Sequence, residues 1–196
     1  MPEATSIRPY SHDDEKPVLK LLRSGLTDLA VFASQVDPPE NENYVERELK
    51  LHKLSIANDP ENWVVAVLAN SVVGTLRMRF LEDQHGPYAS VRLLVVAHDN
   101  NRKGIEQSLI QAAIERAKNS IATRLFINDI KTNPILLLFR KMGFRDLEMV
   151  HRLDRNPNHR LLWLPTRVGQ AGGPAWGPGP ESRGWWIDES KEFPSS

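Results

Sequence analysis

The chain has 196 residues, 40% of them apolar, which is enough for one substantial core. Its 25 basic and 25 acidic residues cancel and no long basic block occurs, so neither nucleic acid nor an anionic membrane surface is an expected partner. The absence of cysteine excludes disulfides, thiolate zinc sites and a cysteine nucleophile.

The opening MPEATSIRPY carries neither an apolar signal core nor a basic amphipathic pattern, and no run reaches the roughly 18 apolar residues that cross a bilayer. A cytoplasmic location is therefore expected. Residues 6–10 read as a short strand. Ser11, followed by Asp13, Asp14 and Glu15, supplies an N-cap and first-turn acids for a helix with Val18, Leu21, Leu22 and Leu26 on one face. Residues 27–41 read as a loop, and a second helix is expected from Tyr44 through Leu49 and Leu51 to Ile56.

Residues 63–69 and 72–81 are β-branched apolar runs joined by Asn70 and Ser71, a hairpin signature. Residues 82–87 break the pattern. Residues 89–97 follow as a strand, apolar on both faces from Leu93 to Val96, as a central strand is. After Gly104 a helix aligns Ile105, Leu109, Ala112, Ala113 and Ala117, and residues 124–130 form the next strand, completing a parallel crossover. Pro134 opens a last helix over residues 135–141 that Gly143 closes, with strands expected at 147–153 and 160–164 around an Asn156-Pro157-Asn158 turn. From Thr166 onward Gly and Pro make up 10 of 31 residues, so residues 166–196 read as a low-complexity tail behind a domain of residues 1–165. The tail carries Trp176, Trp185 and Trp186, which suit docking on the domain or on a partner.

This order of elements resembles the GNAT acyltransferase superfamily over roughly residues 6–165. The local text carries it: WVVAVLANSVVGTLRM looks like the family's second and third strands, LLVVAHDNNRKGI like its cofactor strand and loop, and LFRKMGF like its last helix. The resemblance implies an α/β (α+β) GNAT fold, with a mixed sheet of about six to seven strands flanked by about four helices. It also implies transfer of an acetyl group from acetyl-CoA to an amine, the alternative being a catalytically impaired GNAT-fold binding or regulatory module.

In the family, the loop after the cofactor strand turns backbone N–H groups towards the pyrophosphate of acetyl-CoA at the start of a helix. Here that maps to Asn101, Arg102, Lys103, Gly104, Ile105 and Glu106. The family pattern opens on Gln or Arg and closes on Gly or Ala, so Asn101 and Glu106 depart from it while Gly104 matches. A bulge that splays the strand would expose backbone groups of Leu94, Val95 and Val96 to the pantetheine. Where family members carry an Asn and, seven residues on, a Tyr that protonates the departing thiolate, this chain places Thr132 at the Asn position, with Asn133 one residue away, and Phe139 at the Tyr position. The usual base positions fall near Ser90 and Arg92, neither an acid. Glu82, Asp83, His85 and Asp129 are replacement bases, Asp129 first because its strand end should border the acetyl group, and Tyr88 is the substitute phenol. His12, His52, His98, His151 and His159 show no metal-ligand spacing, so no metal is expected.

Overall fold

The structure, a computed structural model, describes residues 5–34, 44–83, 86–98, 104–130, 135–146 and 159–166. The expected strand at 147–153, its turn, His85, Asn101, Arg102, Lys103, Asn133 and the tail beyond Thr166 lie outside the described residues. Strand β1 (Ser6–Pro9) leads through a 3-10 turn into α1 (Glu15–Ser34), and α2 is Tyr44–Asn58. Strands β2 (Trp63–Leu68), β3 (Ser71–Asp83) and β4 (Gly86–Val96) precede α3 (Ile105–Lys118) and β5 (Arg124–Ile130). The chain closes with α4 (Ile135–Lys141), β6 (Arg145–Asp146) and β7 (His159–Pro165).

The strands form one mixed sheet in the order β1-β2-β3-β4-β5-β7-β6, with β4 and β5 parallel and all other neighbours antiparallel. This is the expected α/β architecture of a GNAT fold. Alternation along β2 shows how the layers arise. Val64 and Ala66 face one core with Leu109, Ile110, Ala113 and Ile114 of α3 and Leu136 and Phe139 of α4. Trp63 and Val65 face a second core with Leu22 and Leu26 of α1 and Leu49 and Ile56 of α2. Each fully buried side chain of this kind contributes about 1.5–3 kcal/mol.

Several boundaries move from the sequence expectation. Helix α1 continues to Ser34 through residues expected to be loop, because its apolar stripe is already anchored by Val18, Leu22 and Leu26 and no breaker intervenes. Strand β3 runs through Glu82 to Asp83 and β4 starts at Gly86, so both strands extend into the expected break and Asp83 pairs with Gly86. The turn between β2 and β3 is built by Ala69 and Asn70, since Leu68 pairs with Ser71. Both central residues have positive φ, 49° and 60°, as a type I′ hairpin requires.

Asn adopts that conformation at little cost, whereas Ala69 is strained in it. Ala69→Gly is expected to stabilise the fold by about 1 kcal/mol, or roughly 2–4 °C in Tm, because an L-residue at positive φ is strained. A thermal unfolding comparison checks it, and an unchanged or lower Tm would contradict it.

The other ends of these elements obey the sequence. The Asp14 carboxylate accepts from both terminal nitrogens of Arg8, at 2.6 and 2.8 Å, and from the Ser11 N–H at 2.8 Å. The hydrogen-bonded guanidinium of Arg8 holds that carboxyl below its usual range. Helix α4 ends in a Schellman motif: Phe144 N–H donates to the Phe139 carbonyl, Gly143 N–H to that of Arg140, and Gly143 has φ 96°. The Phe139 and Phe144 rings meet edge to face at 5.1 Å and complete it.

Candidate functional site

The parallel pair β4–β5 is short. Ala89 pairs with Leu125, Ser90 with Phe126 and Val91 with Ile127, and β4 makes no further pair with β5. On its other edge, β4 stays with β3 to its end, Leu93 opposite Arg77 and Val96 opposite Gly74. The register shifts between these halves: Met78 faces Val91 while Arg77 faces Leu93, so Arg92 is an extra residue in β4. A bulge bends its strand, and this one turns the distal half of β4 away from β5. A wedge-shaped opening follows, with residues 93–96 on one side and Asn128 and Asp129 of β5 on the other.

Strand alternation decides which groups line the opening. Ala97 donates its N–H to the Val73 carbonyl at 2.8 Å, so Ala97, Val95 and Leu93 form the hydrogen-bonded pairs with β3. The N–H and C=O groups of Leu94 and Val96 therefore point away from β3, into the opening. This corrects the expectation for Val95, whose backbone belongs to the β3 ladder and whose side chain is buried in the α1–α2 core.

Helix α3 begins at the distal end of β4. Gly104 is its N-cap, with φ 75° and ψ 12°, a left-handed conformation that glycine adopts without strain. A Cβ at Gly104 would meet no atom of the described residues within 4 Å. Ile105 is fully buried and anchors the first turn in the core, while Glu106 is half-buried beside it. The free N–H groups of a first helical turn carry a partial positive charge and suit an anion, and Glu106 places a carboxylate in that same turn.

The remaining candidates separate. Asp129 lies on β5 two residues past the last pair with β4, and its backbone pairs with Arg160 of β7, which puts it along the opening. Tyr88 lies three residues before the last pair, roughly 10 Å along the strand, in the closed half. Its ring is buried edge-on to Phe126 at 5.5 Å with the Arg124 guanidinium 5.6 Å above it, so packing in the closed sheet replaces the expected role as phenol at the opening. Glu82 and Asp83, opposite Pro87 and Gly86, are further still on that side, because β3 extends through them. Phe139 is fully buried in the α3–α4 core, and its hydrocarbon ring presents no surface to a ligand.

Gly25 and Gly74, which lie against the side chains of Val95 and Val96 of distal β4, were not singled out by the sequence; an isolated glycine inside a helical pattern is the signal that points to Gly25. Among the described residues no group of three or more His, Asp and Glu side chains comes together to hold a metal. No helix among them is long and apolar enough to cross a membrane.

A family model described as the acetyltransferase (GNAT) family matches residues 27–144. The fold is similar to that of PH1933 from Pyrococcus horikoshii OT3, with a TM-score of 0.65 and 12% identity over 84% of this chain and 100% of that one. A PaiA N-acetyltransferase from Thermoplasma acidophilum, in complex with coenzyme A, gives a TM-score of 0.64 at 14% identity over 83% and 99% of the two chains. A chain of the NatC complex bound to Gag peptide and CoA gives 0.61 at 18% identity over 84% and 99%. Among curated protein sequences none is a significant match.

Proposed function

Since this chain belongs to the acetyltransferase (GNAT) family, we propose that it transfers an acetyl group from acetyl-CoA to the amine of an acceptor. The observation that carries the reading is the opening itself: β4 leaves β5 after Val91, and the α3 N-terminus stands at the far end of the freed strand. The outward N–H and C=O groups of Leu94 and Val96 suit the amide groups of pantetheine, which pair with a strand edge as another strand does. The first turn of α3, from Gly104 through Ile105 to Glu106, suits the pyrophosphate, together with Asn101, Arg102 and Lys103 from the preceding segment. Coenzyme A bound to the PaiA and NatC structures supports the same co-substrate here.

The amine nitrogen attacks the thioester carbonyl, the C–S bond breaks, and CoA leaves as a thiolate while the amine gives up a proton. Holding the two reactants together in the wedge supplies much of the catalysis. Asp129, on the β5 side of the opening, is the proposed acceptor of the amine proton. No phenol stands at Phe139, so the thiolate takes its proton from solvent, which a thiolate tolerates better than an alkoxide does.

Calorimetric titration with acetyl-CoA and CoA, paired with a colorimetric assay of thiol release across a panel of amines, tests the proposal. Sub-millimolar binding of both ligands and amine-dependent thiol release are expected. Absence of binding at millimolar ligand would sink the reading, and binding without thiol release from any amine would favour the catalytically impaired module.

A further inference from the structure

Two glycines flank the distal half of β4, one on each face of the sheet. Gly25 sits in the interior of α1, where glycine is a poor helix former. A Cβ placed there would lie 2.5 Å from Val95 Cγ1 and 3.0 Å from Cγ2. Val95 is β-branched and cannot turn aside cheaply, so α1 reaches β4 only because residue 25 has no side chain. On the opposite face, a Cβ at Gly74 of β3 would lie 3.1 Å from Ile105 Cγ2, 3.1 Å from Leu109 Cδ1 and 3.3 Å from Val96 Cγ2. The first turn of α3 is thereby seated low on β3 and β4. Val95 is also bonded through its backbone to β3, and Ala97 follows it there. Together these contacts fix the distal half of β4 on β3, between α1 and α3.

We propose that Gly25 and Gly74 are positioning residues that hold the distal half of β4 apart from β5 before any ligand arrives. Two bare stretches of backbone let α1 and α3 clamp the strand end, so the opening is built into the apoprotein and α3 meets it at a fixed height. The consequence for CoA binding rests on the function proposed above; the clamp itself does not.

The test is a double-mutant cycle on Gly25→Ala and Val95→Ala, with two readouts on the full chain. In the ligand-free protein, amide exchange of Ala97, whose N–H bonds to the Val73 carbonyl, reports whether the strand end is held. Gly25→Ala is expected to speed that exchange about tenfold and to weaken CoA binding by a similar factor. Val95→Ala in the same chain removes both methyl groups that the new Cβ would strike, and is expected to restore both quantities, a rescue that loss of packing alone would not produce. Wild-type exchange in Gly25→Ala, or a double variant no better than the single, would overturn the clamp. Should Gly25→Ala not fold, Gly74→Ala carries milder overlaps and the same two readouts, and no change in either would overturn it. If wild type binds no CoA, the proposed transfer fails while the exchange measurement still decides the clamp.

Discussion

Glu106→Gln is expected to tighten the binding of CoA between ten- and a hundredfold. Glu106 is the second residue of α3, half-buried, two positions past the left-handed Gly104. A carboxylate about 5 Å from a phosphate at an effective dielectric near 20 repels it by about 3 kcal/mol, a ceiling of roughly a hundredfold. Solvent reaching a half-exposed group lowers this, and tenfold is the floor for a site that stays wet. The same carboxylate favours the helix, because an acid in a first turn meets the positive end of the dipole and contributes about 0.3–1 kcal/mol. The variant should therefore bind CoA more tightly and melt slightly earlier, two effects of opposite sign from one charge. Calorimetry at low and high salt checks the origin: an electrostatic gain shrinks as salt rises. An unchanged Kd would mean that the Glu106 carboxylate points away from the bound phosphates.

The fold was legible because its elements are written in local chemistry. Residues 124–130 and 135–141 match their observed strand and helix, the first an uninterrupted apolar core flanked by polar residues, the second bracketed by Pro134 and Gly143. The misplaced boundaries share one cause, continuation by tertiary support. Strand β3 runs past Leu81 to Asp83 because β4 is there to pair with it, and α1 runs past Thr27 on an already buried stripe. Ala69 shows a different failure, since nothing in an alanine announces positive φ and only the Leu68–Ser71 pairing imposes it.

The site was legible as a stretch of chain and much less so residue by residue. Splaying of the strand by a bulge was expected, though not its place at Arg92, and which of Leu94, Val95 and Val96 turn outward depends on the ladder phase, shown by the hydrogen bond from Ala97 to Val73. Tyr88 and the acids at 82 and 83 share a neighbourhood in sequence with the site, but a strand rises about 3.3 Å per residue, and a few positions carry them into the closed half. The paired role of Gly25 and Gly74 arises only when α1, β3, β4 and α3 are stacked, because neither glycine is near the other in sequence.

Between pH 6.5 and 4 the protein is expected to lose about 3 kcal/mol of stability through His52 alone. His52 lies on α2, 8% exposed, with its ring edge-on to Trp63 at 5.9 Å. Burial, and then the guanidinium of Arg77, push its pKa down to about 4, and Arg77 itself sits 5.9 Å from the Trp63 ring centre. In the unfolded chain the imidazole returns to about 6.5. Between the two values the unfolded state binds a proton that the folded state refuses, so stability is full above pH 6.5 and falls as the pH drops through 4. The separation of about 2.5 pH units, at 1.36 kcal/mol each, gives the stated loss. Asp14 acts lower: its depressed carboxyl adds stability above about pH 3.9, lost only under stronger acid. The two groups therefore occupy successive windows. His52→Phe keeps an edge-on ring against Trp63 but removes the proton acceptor, together with a buried Nδ1 that has no hydrogen-bond partner among the described residues. Urea unfolding at pH 7, 6, 5 and 4.5 should show a steep decline for wild type and a nearly flat profile for the variant, which becomes the more stable protein by pH 5. Equal slopes for the two would remove His52 as the cause.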